Sequence, residues 1–498
     1  MIIRKLLIGI TFFCYPYFGL IAQGYNHNWL LGSWIYLTDP KGRAFIDSNN
    51  FSFSTEYRKM SFLGTQGNIS DANGNFLMSS NGIWIANANN DTMLNGSGLN
   101  PGSYASSWPY GMPALSNNVF IPFPNSPTKF VLLHHTQQEV GLLYLNYNLF
   151  YSIIDITKDS GLGEVISKNN IAVNDTFCEG IGVCKHANGI DWWIAMIKEN
   201  SSEVMLCEFT QQLIQNLSFQ NLNYSPKPLQ NGAQLTFSSD GSKFITTTYD
   251  NPTDRNSYVI LSDFDRCNGV FSNTQTIPVT NGAYIWGLAF SPSGEYIYAC
   301  SSGYVFQINS TTLAVDTVAV YDGFISPPGS NCCYTTFWNM YLAANGKIYI
   351  TSGSSVQHIH VINFPDSAGI ACDVQQHAID LVDYLHLRAV PNHPNYYLGC
   401  DTTGGCPCYL SVTEQSKNDK LNIFPNPNQG NFLIGYNAQP QSSLLQVYDV
   451  YGKIIYTENL PPWSTEQNII LKNISNGMYN CLVTNGDKRV SKKIMVIR

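Results

Sequence analysis

Residues 288–309 read LAFSPSGEYIYACSSGYVFQIN. An apolar stretch runs into a turn that ends in glycine, and two further alternating stretches follow. Strand side chains point to opposite faces in turn, so each stretch offers one face to a core. Ser293-Gly294 supplies the positive φ that a tight hairpin needs at little steric cost. The unit is therefore a β-hairpin with a third strand behind it. The same message recurs in GNISDANGNFLMSSNGIWIAN (67–87), LTFSSDGSKFITTTYD (235–250) and LAANGKIYITSGSSVQHIHVIN (342–363), with Asn73-Gly74, Asp240-Gly241 and Asn345-Gly346 at the turns. Units spaced by roughly 50 residues within a region of about 375 predict a β-propeller, in which small antiparallel sheets surround a channel. The expected count is seven blades. A pair of β-sandwiches is the competing architecture, and the lack of an evident Greek-key crossover weighs against it.

Composition agrees with an all-β chain. Only 12% of the 498 residues are charged and 13% are aromatic, with 39 Gly and 24 Pro, a balance that favours short strands and tight turns over amphipathic helices. The length implies two or three domains. At the N-terminus, Arg4 and Lys5 precede the apolar run Leu6 to Phe13, and Ala22 stands before Gln23. That is the pattern of a secretory signal peptide over residues 1–22, too short to span a bilayer. No later stretch supplies ~18 consecutive apolar residues, so no transmembrane span is expected.

An exported chain with 12 cysteines after residue 22 points to disulfides, and CEGIGVC (178–184) and CDTTGGCPC (400–408) have spacings that would close small loops. The net charge of −8 is uneven. The last fourteen residues carry five basic residues and one acid, a net +4, which leaves −12 on the preceding 484. That balance argues against nucleic-acid binding by the main body.

Residues 400–419 are polar and rich in Gly, Ser and Cys, and read as a linker between a 23–399 propeller and a 420–498 domain. Beyond it, LNIFPNPNQGNFLI (421–434), SLLQVYDVYGKIIY (443–456) and the final strands from Gln467 supply the short alternating segments of a small Ig-like β-sandwich. The marked positions are Pro425, Asn426, Pro427 and Gly430, then Asp449, Gly452 and Lys453, then Gly477 and Tyr479, and finally Lys492 and Lys493. In this order at the C-terminus they resemble the type A sorting domain of the type IX secretion system. The region from about Asn68 to Gly399, with AVPNHPNYYLG (389–399) as its last landmark, resembles secreted bacterial WD40-like propellers that precede such domains. The resemblance implies a Gram-negative source and passage through the type IX outer-membrane translocon. It also implies a protein that is extracellular or held at the outer cell surface. No ligand comes with it.

Chemistry is sparse. His134-His135 and His358-x-His360 are metal candidates that lack a third ligand. Asp71, Asn73 and Asn75 suggest a calcium loop, but the glycine is misplaced for an EF-hand and a hairpin turn explains them, so no cofactor is expected apart from a structural Ca²⁺ there. Asp263 or Asp265 with Glu295 would make a carboxylate couple, yet SDFDR reads better as a strand end whose aspartates cap turns and pair with Arg266. No catalytic residue is assigned. Trp192, Trp193, Tyr284, Trp286, Phe337 and Trp338 cluster near strand ends, where they would form either inter-blade core or a stacking platform. Asp91-Thr92, Asp316-Thr317 and Asp366-Ser367 match the short O-glycosylation pattern of such secretomes. The expected role is an extracellular binding or adhesion scaffold for a glycan or protein, and the alternative is a secreted polysaccharide- or peptide-processing enzyme with its site in the channel.

Overall fold

The computed structural model describes residues 24–33, 38–48, 50–140, 143–225, 234–250, 253–280, 283–327, 333–396, 398–401, 406, 421–437, 442–461, 464, 466–472, 474–485 and 488–497. The expected signal peptide and most of the expected linker lie outside them. The chain divides into two compact units, 1–409 and 410–498.

The described residues of unit one form seven successive antiparallel meanders, at 28–56, 67–97, 118–177, 182–221, 236–280, 287–320 and 337–380. The first has three strands and the others four. The second and third merge into one eight-stranded sheet, where their outer strands meet in parallel at Leu94 and Glu164. Burial falls from the first strand of a meander to the last. In the sixth, Gly287–Phe290 and Tyr296–Cys300 are buried throughout, Tyr304–Asn309 is buried except at its ends, and Val315–Val320 is largely exposed. A strand covered on both faces cannot alternate, which is why YIYAC is continuously apolar.

Each meander shares a core with its neighbours. Leu30 packs with Phe62, Phe76 and Ala86 between the first and second, and one large cluster spans the second to the fourth. Trp193 and Leu206 meet Phe244 and Ile260, Ile245 and Leu261 meet Leu288 and Ile297, and Tyr298 and Val305 meet Phe337 and Ile350. The last cluster joins Tyr341, Tyr349 and Ile359 of the seventh meander to Trp29, Leu31 and Ala44 of the first. A series of meanders in sequence whose last packs on its first forms a closed ring, and the fold is a β-propeller.

The centre of the ring is crossed by residues 391–396, after the last meander. Asn392 donates through Nδ2 to Ile181 O at 2.9 Å and accepts from the Tyr341 hydroxyl. His393 Nε2 lies 2.8 Å from Asn68 O, Asn395 donates to Ser239 O, and the Tyr396 hydroxyl donates to Phe120 O at 2.7 Å. One short segment thereby bonds to inner-strand regions all round the ring.

The cysteines differ from expectation. Cys178 and Cys184 are buried thiols outside any disulfide, as are Cys207, Cys300, Cys372 and Cys481. The extended strand Gly182–Lys185 holds Cys184 away from Cys178, whose thiol faces Glu199. Cys406 bonds to Cys267 across 139 residues, and Cys333 and Cys400 are also disulfide-bonded.

Unit two is a β-sandwich of seven described strands. One sheet orders Asn422–Phe424, Asn431–Gly435 and Glu466–Ile470; the other orders Ile454–Leu460, Ser443–Tyr448, Gly477–Asn485 and Lys488–Val496. Phe432, Ile434, Leu445, Val447, Ile469, Ile494 and Val496 fill the space between them. Phe432 and Ile434 alternate with exposed Asn431 and Leu433, the period of a strand with one covered face.

Candidate functional site

The hairpin turns read from the sequence all fall at one end of the inner strands, with Gly74, Gly241, Gly294 and Gly346 at φ +85°, +72°, +74° and +75°. At the other end the inner strands begin, and there an aromatic row forms. Trp286 precedes Gly287–Phe290, and Trp338 is the second residue of Phe337–Leu342 on the neighbouring meander. Their rings stack at 4.1 Å with 12° between planes. Tyr284 meets Trp286 edge-on at 5.5 Å, and Tyr249 meets Tyr284 at 4.9 Å. All four are partly open to solvent.

Backbone contacts set this row. A Cβ at Gly287 would stand 2.2 Å from Trp338 O, so only glycine lets the two inner strands approach so closely. Gln234 Oε1 accepts from Leu288 N at 3.3 Å and Met340 N at 2.9 Å, tying the same strands together. A Cβ at Gly353 would lie 2.6 Å from the Trp338 ring, and its absence makes room for the indole.

Cations complete the row. The Arg388 guanidinium carbon lies 4.9 Å from the Trp338 centroid, and Arg255 lies 5.3 Å from that of Tyr284. Arg388 Nε donates to Gly353 O at 3.3 Å, and its two terminal nitrogens make no hydrogen bond or ion pair among the described residues. Glu179, within the field of Arg388, accepts from Gln137 Nε2 at 3.1 Å. Burial pushes its carboxyl up to about 7, against the pull of its hydrogen bonds and of Arg388. Glu199 is also pushed up to about 7 by burial. This end of the ring therefore offers flat apolar faces, a guanidinium with free donors and two carboxyls poised near neutrality.

The other aromatic candidates are core: Trp192, Trp193 and Phe337 are buried. His134 is buried between Asn100 Oδ1 at 2.6 Å and Ser152 Oγ at 3.0 Å, and burial pulls it down to about 3. His360 packs against Phe337, whereas His358 bonds to Ser326 Oγ at 2.7 Å, so the two do not converge. No group of three or more metal-binding side chains occurs among the described residues. The Asp71 carboxylate accepts from Asn73 N, Asn75 N and Asn75 Nδ2 within its turn. Asp263 is held by Lys243 and Asn273, and Asp265 caps Cys267 and Asn268. Arg266 does not pair with either. It donates to the carbonyls of Lys185, His186 and Gly399, fastening the fourth meander to the segment beyond the seventh.

In the sandwich, the marked residues form two local structures. Asn426 Oδ1 accepts from Met495 N at 2.9 Å and its Nδ2 donates to Lys493 O at 3.1 Å, so the Pro425-Asn426-Pro427 turn grips the final strand. Gly430, at φ +95°, donates to Asn428 Oδ1 at 2.8 Å. Asp449 accepts from Tyr451 N and Lys453 N around Gly452, closing a tight turn. The Tyr479 hydroxyl donates to Ser475 O at 2.9 Å, just after Gly477 opens its strand. Lys492 and Lys493 pair with Cys481 and Asn480 on the edge strand of the four-stranded sheet, and both are exposed.

A family model described as "Secretion system C-terminal sorting domain" matches residues 422–497. No curated protein matches the chain. Solved structures similar to it include a putative 6-phosphogluconolactonase from Bacteroides fragilis, at 10% identity and TM-score 0.37, over 74% of this chain and 96% of that one. An oligogalacturonate lyase from Vibrio parahaemolyticus is similar at 8% identity and TM-score 0.36, over 68% and 92%. A putative TolB from Agrobacterium tumefaciens is similar at 13% identity and TM-score 0.32, over 58% and 88%. These likenesses bring no activity with them. The chain is an exported all-β protein, a β-propeller followed by a sorting domain. That sorting domain is of the type IX secretion system, which directs it to the extracellular or cell-surface compartment. No helix among the described residues is long and apolar enough to cross a membrane.

Proposed function

We propose that residues 23–399 form a seven-bladed binding or adhesion scaffold whose ligand face is the ring end bearing Tyr249, Tyr284, Trp286, Trp338 and Arg388. The observation that carries this reading is the stacked, half-buried Trp286–Trp338 pair beside the Arg388 guanidinium, whose terminal nitrogens bond to no described residue. Apolar faces of this size lie against sugar C–H groups or aromatic peptide side chains, and Arg388 has donors left for a carboxylate or hydroxyl. A signal peptide over 1–22 serves inner-membrane passage and residues 400–419 join the two domains. The Ig-like domain 420–498 then presents the Pro425-Asn426-Pro427 turn and the Lys492-Lys493 edge to the translocon. Glycan and peptide arrays probed with the mature protein test the ligand face. Trp286→Ala with Trp338→Ala should weaken the retained ligand by about tenfold or more, the equivalent of ~1.4 kcal/mol. Unchanged binding would remove the face from consideration.

The secreted-enzyme reading draws on buried Glu179, just before the fourth meander, and half-buried Glu199 within it, both raised to about 7. Incubating the array ligand with wild-type protein and Glu179→Gln separates the readings. Turnover by wild type that Glu179→Gln abolishes while binding persists would make the protein an enzyme.

A further inference from the structure

At the opposite end of the inner strands lies a cavity of about 320 Å³ that the aromatic row does not touch. Its walls are the ends of the inner strands of the fourth to seventh meanders, and His393 to Asn395 of the crossing segment back it. The lining mixes apolar side chains, Phe237, Leu288, Phe290 and Leu342, with the polar Ser238, Ser239 and Asn395. One cation belongs to this wall. Lys185 closes the strand Gly182–Lys185, with its ammonium 5.0 Å from the Trp192 centroid.

That ammonium has no ion pair and no hydrogen bond among the described residues. Nearby charges do not supply one. Arg266 repels it, and Arg266 is itself committed to the carbonyls of Lys185, His186 and Gly399. Asp240 uses its carboxylate oxygens on Ser238, Ser242 N and Ser242 Oγ. Burial with Arg266 as neighbour pulls the Lys185 amine down to about 8, which an arriving anion would reverse. A lysine at a cavity wall with an indole face and a second cation, Arg266, beside it and no carboxylate paired to it among the described residues is a site short of one negative charge.

We infer that this cavity binds a small organic acid, with its carboxylate at Lys185 and a flat apolar body against Phe237, Phe290 and Leu342. The site is independent of the aromatic row, and each can fail without the other.

Phenylacetate and its neutral isostere phenylacetamide are the probes, titrated into the full mature protein by calorimetry with Trp192-region fluorescence as a second readout. The acid should bind at least about tenfold more tightly than the amide. Lys185→Met, which keeps the apolar stem, should lose that preference, and Lys185→Arg should keep it. Trp286→Ala, at the other end of the ring, should leave phenylacetate binding unchanged. Failure of phenylacetate to bind, equal binding of acid and amide, or full binding by a folded Lys185→Met protein would each overturn the inference. The acid–amide comparison uses unmodified protein, so it decides the matter even if the variants fold poorly.

Discussion

The propeller and the terminal sandwich are both all-β, yet they place their apolar residues differently. Among the described residues, ten large apolar side chains are exposed in the 89 residues of the second unit, against fifteen in the 409 of the first. In the sandwich they come as cross-strand neighbours: Phe424 opposite Leu433 on one sheet, and Met478 opposite Met495 on the other. Both outer faces thus carry apolar pairs, and the basic edge Lys488, Arg489, Lys492 and Lys493 runs beside one of them. The propeller does the reverse. Its faces are consumed between neighbouring meanders, and it concentrates exposed chemistry at the ends of its inner strands. On the proposed reading, the apolar pairs of the sandwich suit recognition by another protein, whereas the chemically distinct mouth of the closed ring suits a ligand.

Removing the sandwich breaks the comparison most severely. With Leu421 to Arg498 deleted, the propeller should fold and collect in the periplasm, and the amount outside the cell should fall by more than about tenfold, on the reading that a signal peptide serves only the inner membrane. Immunoblots of periplasm, cell surface and medium measure it. Export at the full-length level would mean that the sandwich is not what is read.

Acidification should separate the two units next. Burial pulls His134, His135 and His360 down to about 3, and His386 and His393 to about 4. An unfolded chain takes up those protons near ~6.5, so the unfolded state binds more protons below that pH and stability falls as the pH drops. Glu179 and Glu199 oppose this, because carboxyls raised to about 7 stabilise the fold at low pH and cease to as the pH rises through that value. Five histidines against two carboxyls set the net direction. The sandwich has no histidine. Calorimetry from pH 7.5 to pH 5 should therefore lower the propeller transition, by about 2–4 °C per kcal/mol lost, and lower the sandwich transition less. Glu179→Gln should steepen the propeller's loss. A larger shift in the sandwich would contradict the assignment.

A third and smaller effect sharpens the sandwich side. Asn426→Ala removes both hydrogen bonds from the turn to the final strand and should cost the sandwich about 1–2 kcal/mol, leaving the propeller transition where it was. An unmoved sandwich transition would mean that the turn does not hold the strand.

How much of this was legible depended on whether a residue's partner was close in sequence. Gly74, Gly241, Gly294 and Gly346 act within their own turns, so the turns and the strands around them followed directly. The alternation of Phe432 and Ile434 likewise placed the sandwich core. The aromatic row was half legible. Trp286 and Trp338 read as strand-end residues, and their spacing near one blade repeat is the signal that sets them side by side. Arg388 and the crossing segment 391–396 left no such signal, because their partners are backbone groups scattered over the ring, from Asn68 to Gly353. The cysteines misled for the same reason. Proximity in CEGIGVC suggested a loop, whereas Cys267 found Cys406 across 139 residues.

The smallest structural effect gives the sharpest test of what the translocon reads. Lys492 and Lys493 are exposed on an edge strand, while the neighbouring Ile494 and Val496 fill the sandwich core. Replacing Lys492→Glu and Lys493→Glu therefore reverses two charges without touching the packing, and the sandwich transition should move by no more than about 0.5 kcal/mol. If the basic edge is recognised, export should still fall, with folded protein held in the periplasm. A control at the opposite sheet, Leu433→Glu, alters an exposed apolar residue instead and asks whether the outer face matters more than the edge. Lost export with Leu433→Glu and normal export with the lysine pair would transfer the recognition surface from the edge to the face. Normal export from both would leave the Asn426 and Asp449 turns as the next features to test, since hydrogen bonds fix both.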